Sequence, residues 1–324
     1  MNALLIALPM LLILVLVLVC VLVPLAQAWR VWRLEEPSLG AWALAAGEAA
    51  MLVALLALLG RWDIVGLRVR DGLLLLFTVS AAASAWRHRG QPWRADRSTA
   101  AIRAHATTLL SLLLLCITLG WVVAGLLPPA NPRSLVLPLA DGRFVVGQGG
   151  GNRLLNHHAP HRAQRYAADI TAVDRAGWRA RGLLPADPAR YAIFGTAVVS
   201  PCDGAVVSAR GDAPDLRPPQ ADRADPAGNR VTIACGDLLV ELAHLQHRSV
   251  RVAAGDRVAR GDLLGRVGNS GNSTEPHLHV HAVARDSGRG VPIAFDGRVP
   301  VRNRVYRGGA AAGSMAVPPR PNRC

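Results

Sequence analysis

Residues 4–27 run without a single charged side chain, and Leu, Val, Ile and Ala fill most positions. A helix needs about 20 such residues to cross the hydrocarbon of a bilayer. The segment therefore predicts a membrane span. A cleavable secretory signal is the rival reading, but this run is longer than the apolar part of such a signal, lacks a basic leader and is followed by further apolar segments. Residues 41–60 predict a second span that tolerates Glu48, and residues 105–128 predict a clear last one. Residues 72–86 are weaker, being short for a full crossing. Residues 1–128 are thus expected to form a helical membrane domain of about four spans.

Arginine placement orients these spans, because short cytoplasmic loops collect positive charge. Arg87, Arg89, Arg94, Arg97 and Arg103 crowd the stretch before the last span, whereas only Arg133 and Arg143 follow it closely. The earlier side is expected to be cytoplasmic, which places everything from residue 129 outside whether or not residues 72–86 cross. If all four cross, both termini lie outside; if not, the N-terminus moves inside. Glu48 has no evident partner in the sequence and is expected to face helix neighbours or an aqueous crevice rather than to act. No transporter-like repeat is present, so the spans read as an anchor.

A length of 324 residues suits roughly two folding units. An apolar share of 51% excludes a disordered or collagen-like chain. All 36 basic residues are Arg: ten stand against six acids in residues 1–128, and twenty-six against sixteen in residues 129–324. The excess sits in the second half and draws it towards polyanions such as wall polymer, anionic headgroups or nucleic acid.

From residue 129 the chain turns rich in Pro, Gly, Asn and Arg, with short alternating or β-branched runs. Strands are predicted near 134–138, 143–147, 167–173, 204–209, 230–234, 237–243, 249–252, 263–267 and 278–284. Residues 209–229 are too polar and Pro-rich for a core element and predict an exposed loop able to rim a cleft. Cys20 and Cys116 fall inside spans as small apolar residues. Cys202 and Cys235 flank predicted strands, where an oxidising compartment permits a disulfide; without a C-x-x-C pair, zinc ligation by these thiols is disfavoured. Cys324 is left over.

Eight of the ten histidines lie beyond residue 128: His157, His158, His161, His244, His247, His277, His279 and His281. The run Pro276-His277-Leu278-His279-Val280-His281 puts three imidazoles on one face of a strand, since alternate side chains share a face. Gly268–Glu275 supplies a flexible turn into that strand. Three N or O ligands with an open fourth position hold a catalytic zinc, and a convergent set of this kind outweighs the ordinary reading of a lone His as a hydrogen-bonded structural residue. His247 stays in that ordinary class.

The ordered segments Q-R-Y-A-A-D-I, S-P-C-D-G-A-V-V, L-A-H-L-Q, G-D-R-V-A-R-G-D-L-L-G-R-V-G and G-N-S-G-N-S-T-E-P-H-L-H resemble the lysostaphin-type zinc endopeptidases of bacterial cell walls, over roughly residues 145–295. The resemblance implies a mainly antiparallel β domain with the metal at the floor of a groove, one zinc ion per domain, and peptide cross-links of peptidoglycan as substrate. It matches Asp169 and His279 to zinc ligands, and His277 and His244 to the catalytic pair. His281 matches no family role. Where the family most often carries its first ligand, four residues before the Asp, this chain has Arg165. An Asn-x-His variant of the pattern selects His158, with His157 and His161 as the alternatives.

The expectation is a multi-pass protein of the cytoplasmic membrane with a periplasmic zinc peptidase domain at residues 129–324. Its partners are wall peptide and, through the spans, membrane lipid; no nucleic acid is expected, and a regulatory protein is not identifiable. A catalytically silent wall-binding domain that activates a partner hydrolase is the alternative, although Asp169, His244, His277 and His279 are all retained. A sensor or transporter working through the spans has Glu48 as its sequence support.

Overall fold

The computed structural model describes residues 2–94 and 99–308; Arg97 and Cys324 lie outside the described residues. Five helices come first: α1 Asn2–Trp32, α2 Leu39–Leu59, the single-turn α3 Trp62–Val65, α4 Leu67–His88 and α5 Thr99–Leu126. Stretches Met10–Trp32, Leu39–Leu59, Leu67–His88 and Ala106–Leu126 are long and apolar enough to cross a membrane. The third is longer than the expected 72–86, because Arg68, Arg70 and Asp71 interrupt the apolar pattern in its first turns without interrupting the helix. α1 packs on α2 and α4, and α2 on α5. Leu12, Leu75, Leu113 and Ile117 face outward. Apolar side chains turned away from the helix contacts suit lipid.

The connections separate by side. Leu39 and Gly40 donate backbone N–H groups to Pro92 O (3.0 Å) and Trp93 O (3.1 Å), joining the two arginine-flanked connections to each other. At the opposite end of α2, Arg302 Nη1 donates to Leu59 O (3.0 Å), and Asn303 Nδ2 donates to Leu58 O (2.9 Å) and Gly60 O (3.0 Å). Those carbonyls have no partner inside the helix; residues of the β domain supply one. Glu48, without a partner in the sequence reading, pairs with Arg30 at 2.8 Å.

Among the described residues twelve strands follow: β1 Arg133–Leu135, β2 Gly142–Gln148, β3 Ala168–Ala172, β4 Ala197–Val199, β5 Gly204–Arg210, β6 Asn229–Cys235, β7 Leu238–Leu245, β8 Arg257–Val258, β9 Leu263–Arg266, β10 Leu278–Ala284, β11 Ile293–Phe295 and β12 Val305–Gly308. Eight form one antiparallel sheet in the order β12-β2-β3-β10-β7-β6-β5-β8; β4 pairs with β9, and β1 runs parallel to β11. Residues 249–252 do not form a strand; the backbone bond they make to β9 is from Arg251 N to Leu264 O (2.8 Å). Strand alternation builds the core: Ile170 on β3, Val231 and Ile233 on β6, Leu238, Val240 and Leu242 on β7, and Leu278, Val280 and Ala282 on β10 all meet in it. Cys202 and Cys235 are bridged, with their Cα atoms 6.0 Å apart, a separation a disulfide spans without backbone movement.

Candidate metal centre and catalytic cleft

β10 lies between β3 and β7, with His279 opposite both Asp169 and Ala243. Leu278 and Val280 face the core, so His279 and His281 take the other face together with Asp169 and Thr171. One row of the sheet therefore sets a carboxylate and an imidazole side by side. His279 Nδ1 lies 2.9 Å from Asp169 Oδ1. His158, in the loop between β2 and β3, brings Nε2 to 3.1 Å from each Asp169 oxygen, and its N–H is tied to Asn156 Oδ1 at 3.0 Å. Asn156 is itself buried and donates to Ala167 O at 3.0 Å. The Asn-x-His spacing is thus a brace for the loop.

The remaining candidates separate. The His157 ring packs against that of His158 with centroids 3.8 Å apart and planes tilted by 39°, and its ligand atom lies within 4.8 Å of those of His158 and Asp169. His161 is exposed and does not line the cleft. His247 donates its backbone N–H to Asp215 and brings Nδ1 to 3.0 Å from Ala213 O, which anchors the 209–229 loop.

His244 reaches the cleft through an irregularity. Strict alternation after Leu242 would send it into the core. Instead the register between β6 and β7 shifts by one residue, and His244 takes φ +62°. Ala243 and His244 both face the cleft, while Leu245 returns to the core. A bulge re-aims a side chain in this way. The sequence signal is the L-A-H-L spacing, which puts two residues rather than one between the core residues Leu242 and Leu245.

Two carbonyls fix the tautomers of the proposed pair. His244 Nδ1 lies 2.9 Å from Ser270 O, and His277 Nδ1 lies 2.8 Å from Glu275 O. A carbonyl only accepts, so Nδ1 carries the proton in each ring and Nε2 is left free. The two rings are 4.7 Å apart, and His277 Nε2 is 3.7 Å from Asp169 Oδ1. The turn that presents His277 is pinned rather than flexible: Asn269, Ser270 and Ser273 are buried, Ser270 Oγ donates to Leu245 O (2.8 Å), and Ser273 Oγ donates to Glu275 O (2.8 Å). At Gly271, φ is +78° and a Cβ would stand 2.5 Å from Gly228 N, so glycine is required there.

Electrostatics favour a charged Asp169 carboxylate and disfavour charge on His157, His244 and His281. Burial opposes the charge of Asp169, but His277 and the hydrogen bonds from His158 and His279 outweigh burial and hold its carboxyl well below the ordinary range. Burial, then His277 and His279, push His244 well below the usual histidine value. His281 is pushed down to about 3 by burial and by His279 and His158. Its neutral Nδ1 is 3.1 Å from His279 Nε2, an acceptor for that ring's second nitrogen. Among the described residues the ion-pair partners of Asp169 are histidines. An anionic carboxylate with imidazole nitrogens aimed at it is the donor set of a zinc site.

His157, His158, Asp169, His244, His277 and His279 line a cleft of about 640 Å³. Asp225, Pro226 and Ala227 rim it from the 209–229 loop, as that loop's composition suggested. Sequence reasoning missed Gln148, placed by a bulge in β2, and Arg61, which comes from the connection after α2.

Residues 190–293 match peptidase family M23. The match holds His244, His277 and His279 and stops short of His158 and Asp169. No curated protein matches the chain. Among solved structures, a mutant catalytic domain of the prophage-encoded M23 protein EnpA from Enterococcus faecalis is 21% identical, covering 46% of this chain and 87% of that one with a TM-score of 0.29. The lysostaphin catalytic domain from Staphylococcus simulans is 22% identical over 34% of this chain and 68% of its own, with a TM-score of 0.23. A zinc containing peptidase from Vibrio cholerae is 23% identical over 39% of this chain and 48% of its own, with a TM-score of 0.25.

Proposed function

Because residues 190–293 form a peptidase family M23 domain, we propose that the chain is a membrane-anchored zinc endopeptidase that hydrolyses peptide bonds in peptidoglycan outside the cytoplasmic membrane. The supporting observation is the convergence of His158 Nε2 and His279 Nδ1 on the Asp169 carboxylate, at 3.1 and 2.9 Å. In this reading His158, Asp169 and His279 hold one zinc ion, and residues 129–324 are the exported domain. A zinc ion there supplies Lewis acidity, which polarises the scissile carbonyl and makes water nucleophilic near neutral pH.

The protein's own groups handle protons and charge. The free Nε2 atoms of His244 and His277 accept a proton from the attacking water and return it to the departing amine. While protonated, the same nitrogen donates to the developing oxyanion. The proton on Nδ1 and its carbonyl partner keep each ring from rotating out of line. The extracytoplasmic placement is supported by the crowding of Arg87, Arg89 and Arg94 at the helix ends remote from the β domain.

The full chain, purified in detergent with zinc, is expected to release new amino groups from isolated peptidoglycan, and His279→Ala is expected to release none. Undiminished release by His279→Ala would overturn the assignment. A silent wall-binding domain predicts no release by either protein.

A further inference from the structure

The membrane module enters the cleft. Arg61, which immediately precedes α3, lines the cleft beside Gly147. Its Nη2 donates to Asp63 Oδ2 (2.7 Å) and to Glu275 Oε1 (2.8 Å), and its Nε donates to Asp63 Oδ1 (2.9 Å). From the other side Arg179 places Nε 2.9 Å and Nη2 2.6 Å from Glu275 Oε2, with Nε 3.8 Å from Asp63. Two guanidinium and two carboxylate groups thus form a balanced cluster in which Asp63 and Arg179 are buried. Isolated charges at such depth are costly, and each is tolerated because the others are present.

The cluster reaches the cleft histidines through Glu275, two residues before His277. Glu275 is held through its side chain by two arginines, and its backbone carbonyl takes the Nδ1–H of His277. The turn that carries Arg61 and Asp63 is itself held firmly. Arg179 N donates to Asp63 O (2.8 Å), Trp178 Nε1 donates to Val65 O (2.8 Å), and Arg302 and Asn303 cap the end of α2. Gly66 at φ +106° lets Trp178 approach, since a Cβ there would stand 2.3 Å from its Nε1.

From this geometry we infer that the α2–α4 connection is a clamp built into the catalytic cleft: Arg61 and Asp63, through Glu275, are positioning residues for His277. The inference rests on the peptidase reading for its kinetic consequence, but not for its structural one. A docked surface alone would not require an arginine that is bidentate to Asp63 and also donates to Glu275, the residue whose carbonyl orients His277. Arginine suits the role because its planar fork bridges two carboxylates at once, which a lysine does not do.

The test uses the full chain in detergent as wild type, Arg61→Gln, Arg61→Lys and Asp63→Asn, with Arg133→Gln as a control that breaks the exposed pair with Asp237. Amide hydrogen exchange reports opening of residues 271–277, and cleavage of a soluble cross-linked muropeptide gives kcat and KM. Exchange across 271–277 is expected to quicken in Arg61→Gln and Asp63→Asn. Their kcat is expected to fall about tenfold or more, as displacement of a reacting group by a fraction of an ångström costs, with KM and zinc content unchanged. Arg61→Lys should recover part of kcat, and Arg133→Gln should resemble wild type. Unchanged exchange and kcat in both Arg61→Gln and Asp63→Asn would overturn the clamp, as would loss of kcat only together with loss of zinc. If wild type releases no peptide, the peptidase reading fails and the exchange measurement still decides the clamp.

Discussion

His279 shows how much one imidazole is asked to do. Its Nδ1 faces Asp169 and its Nε2 faces the neutral Nδ1 of His281. A ligating histidine needs such an acceptor for its far N–H, to fix the tautomer and the ring plane. His281→Leu is therefore expected to weaken zinc binding by about 10–100-fold, read by chelator competition on the full chain. His281→Gln, which keeps an acceptor oxygen, should lose less. Equal affinity in the Leu variant and wild type would contradict the role. The alternation His277, His279, His281 was legible because a period of two is a local property of a strand. Asp169 was legible through resemblance alone, since its partners lie 11 and 110 residues away along the chain. His281 had no role in the sequence reading, because its contact is with the second nitrogen of another histidine rather than with Asp169.

At the scale of elements, irregular segments place the chemistry and regular ones hold it. The bulge in β7 turns His244 towards the cleft, and the pinned 268–277 turn aims His277. Sequence reading found the turn from its Gly, Asn and Ser content but took it to be flexible, because buried hydroxyl and amide bonds to distant strands leave no local mark. The arginine partners of Glu275 were hidden for the same reason, one of them standing 214 residues away. Those arginines matter at low pH. Burial raises the Glu275 carboxyl, but Arg179 and Arg61 outweigh burial and bring it down to about 2 from an ordinary 4.5. A carboxyl depressed in the folded state stabilises fully above its unfolded value, and that stability is lost as pH falls through the folded one. Between about pH 4.5 and 2 the protein should lose about 3 kcal/mol through this group. Denaturant unfolding of Glu275→Gln across that window should show a flatter pH dependence than wild type. Parallel profiles for the two proteins would contradict the strength of the cluster.

For the whole molecule, the helices and the sheet share one boundary. Cys20, Trp62, Val65, Leu67 and Leu73 of the helices pack with Val145 of β2 and Val173, which follows β3. The two connections remote from that boundary carry Glu35, Glu36 and the arginines near residue 90. An orientation follows that labelling can check. On intact spheroplasts, a membrane-impermeant thiol reagent should modify Cys placed at exposed Arg223 and not Cys placed at exposed Glu35; the reverse pattern would put the cleft in the cytosol. The division into an apolar helical part and a strand-rich part was plain from composition, because lipid and water select opposite surfaces. Their docking was not, because it depends on hydrogen bonds from single residues such as Arg302, Asn303 and Trp178 to the ends of α2 and α3.

A zinc ion at His158, Asp169 and His279 acting on wall peptide is the central proposal. Its most direct test is release of amino groups from peptidoglycan by the full chain before chelation, after stripping with a chelator, and after return of zinc. Release should disappear on stripping and return with stoichiometric zinc. Release at an unchanged rate from the stripped protein would contradict the account.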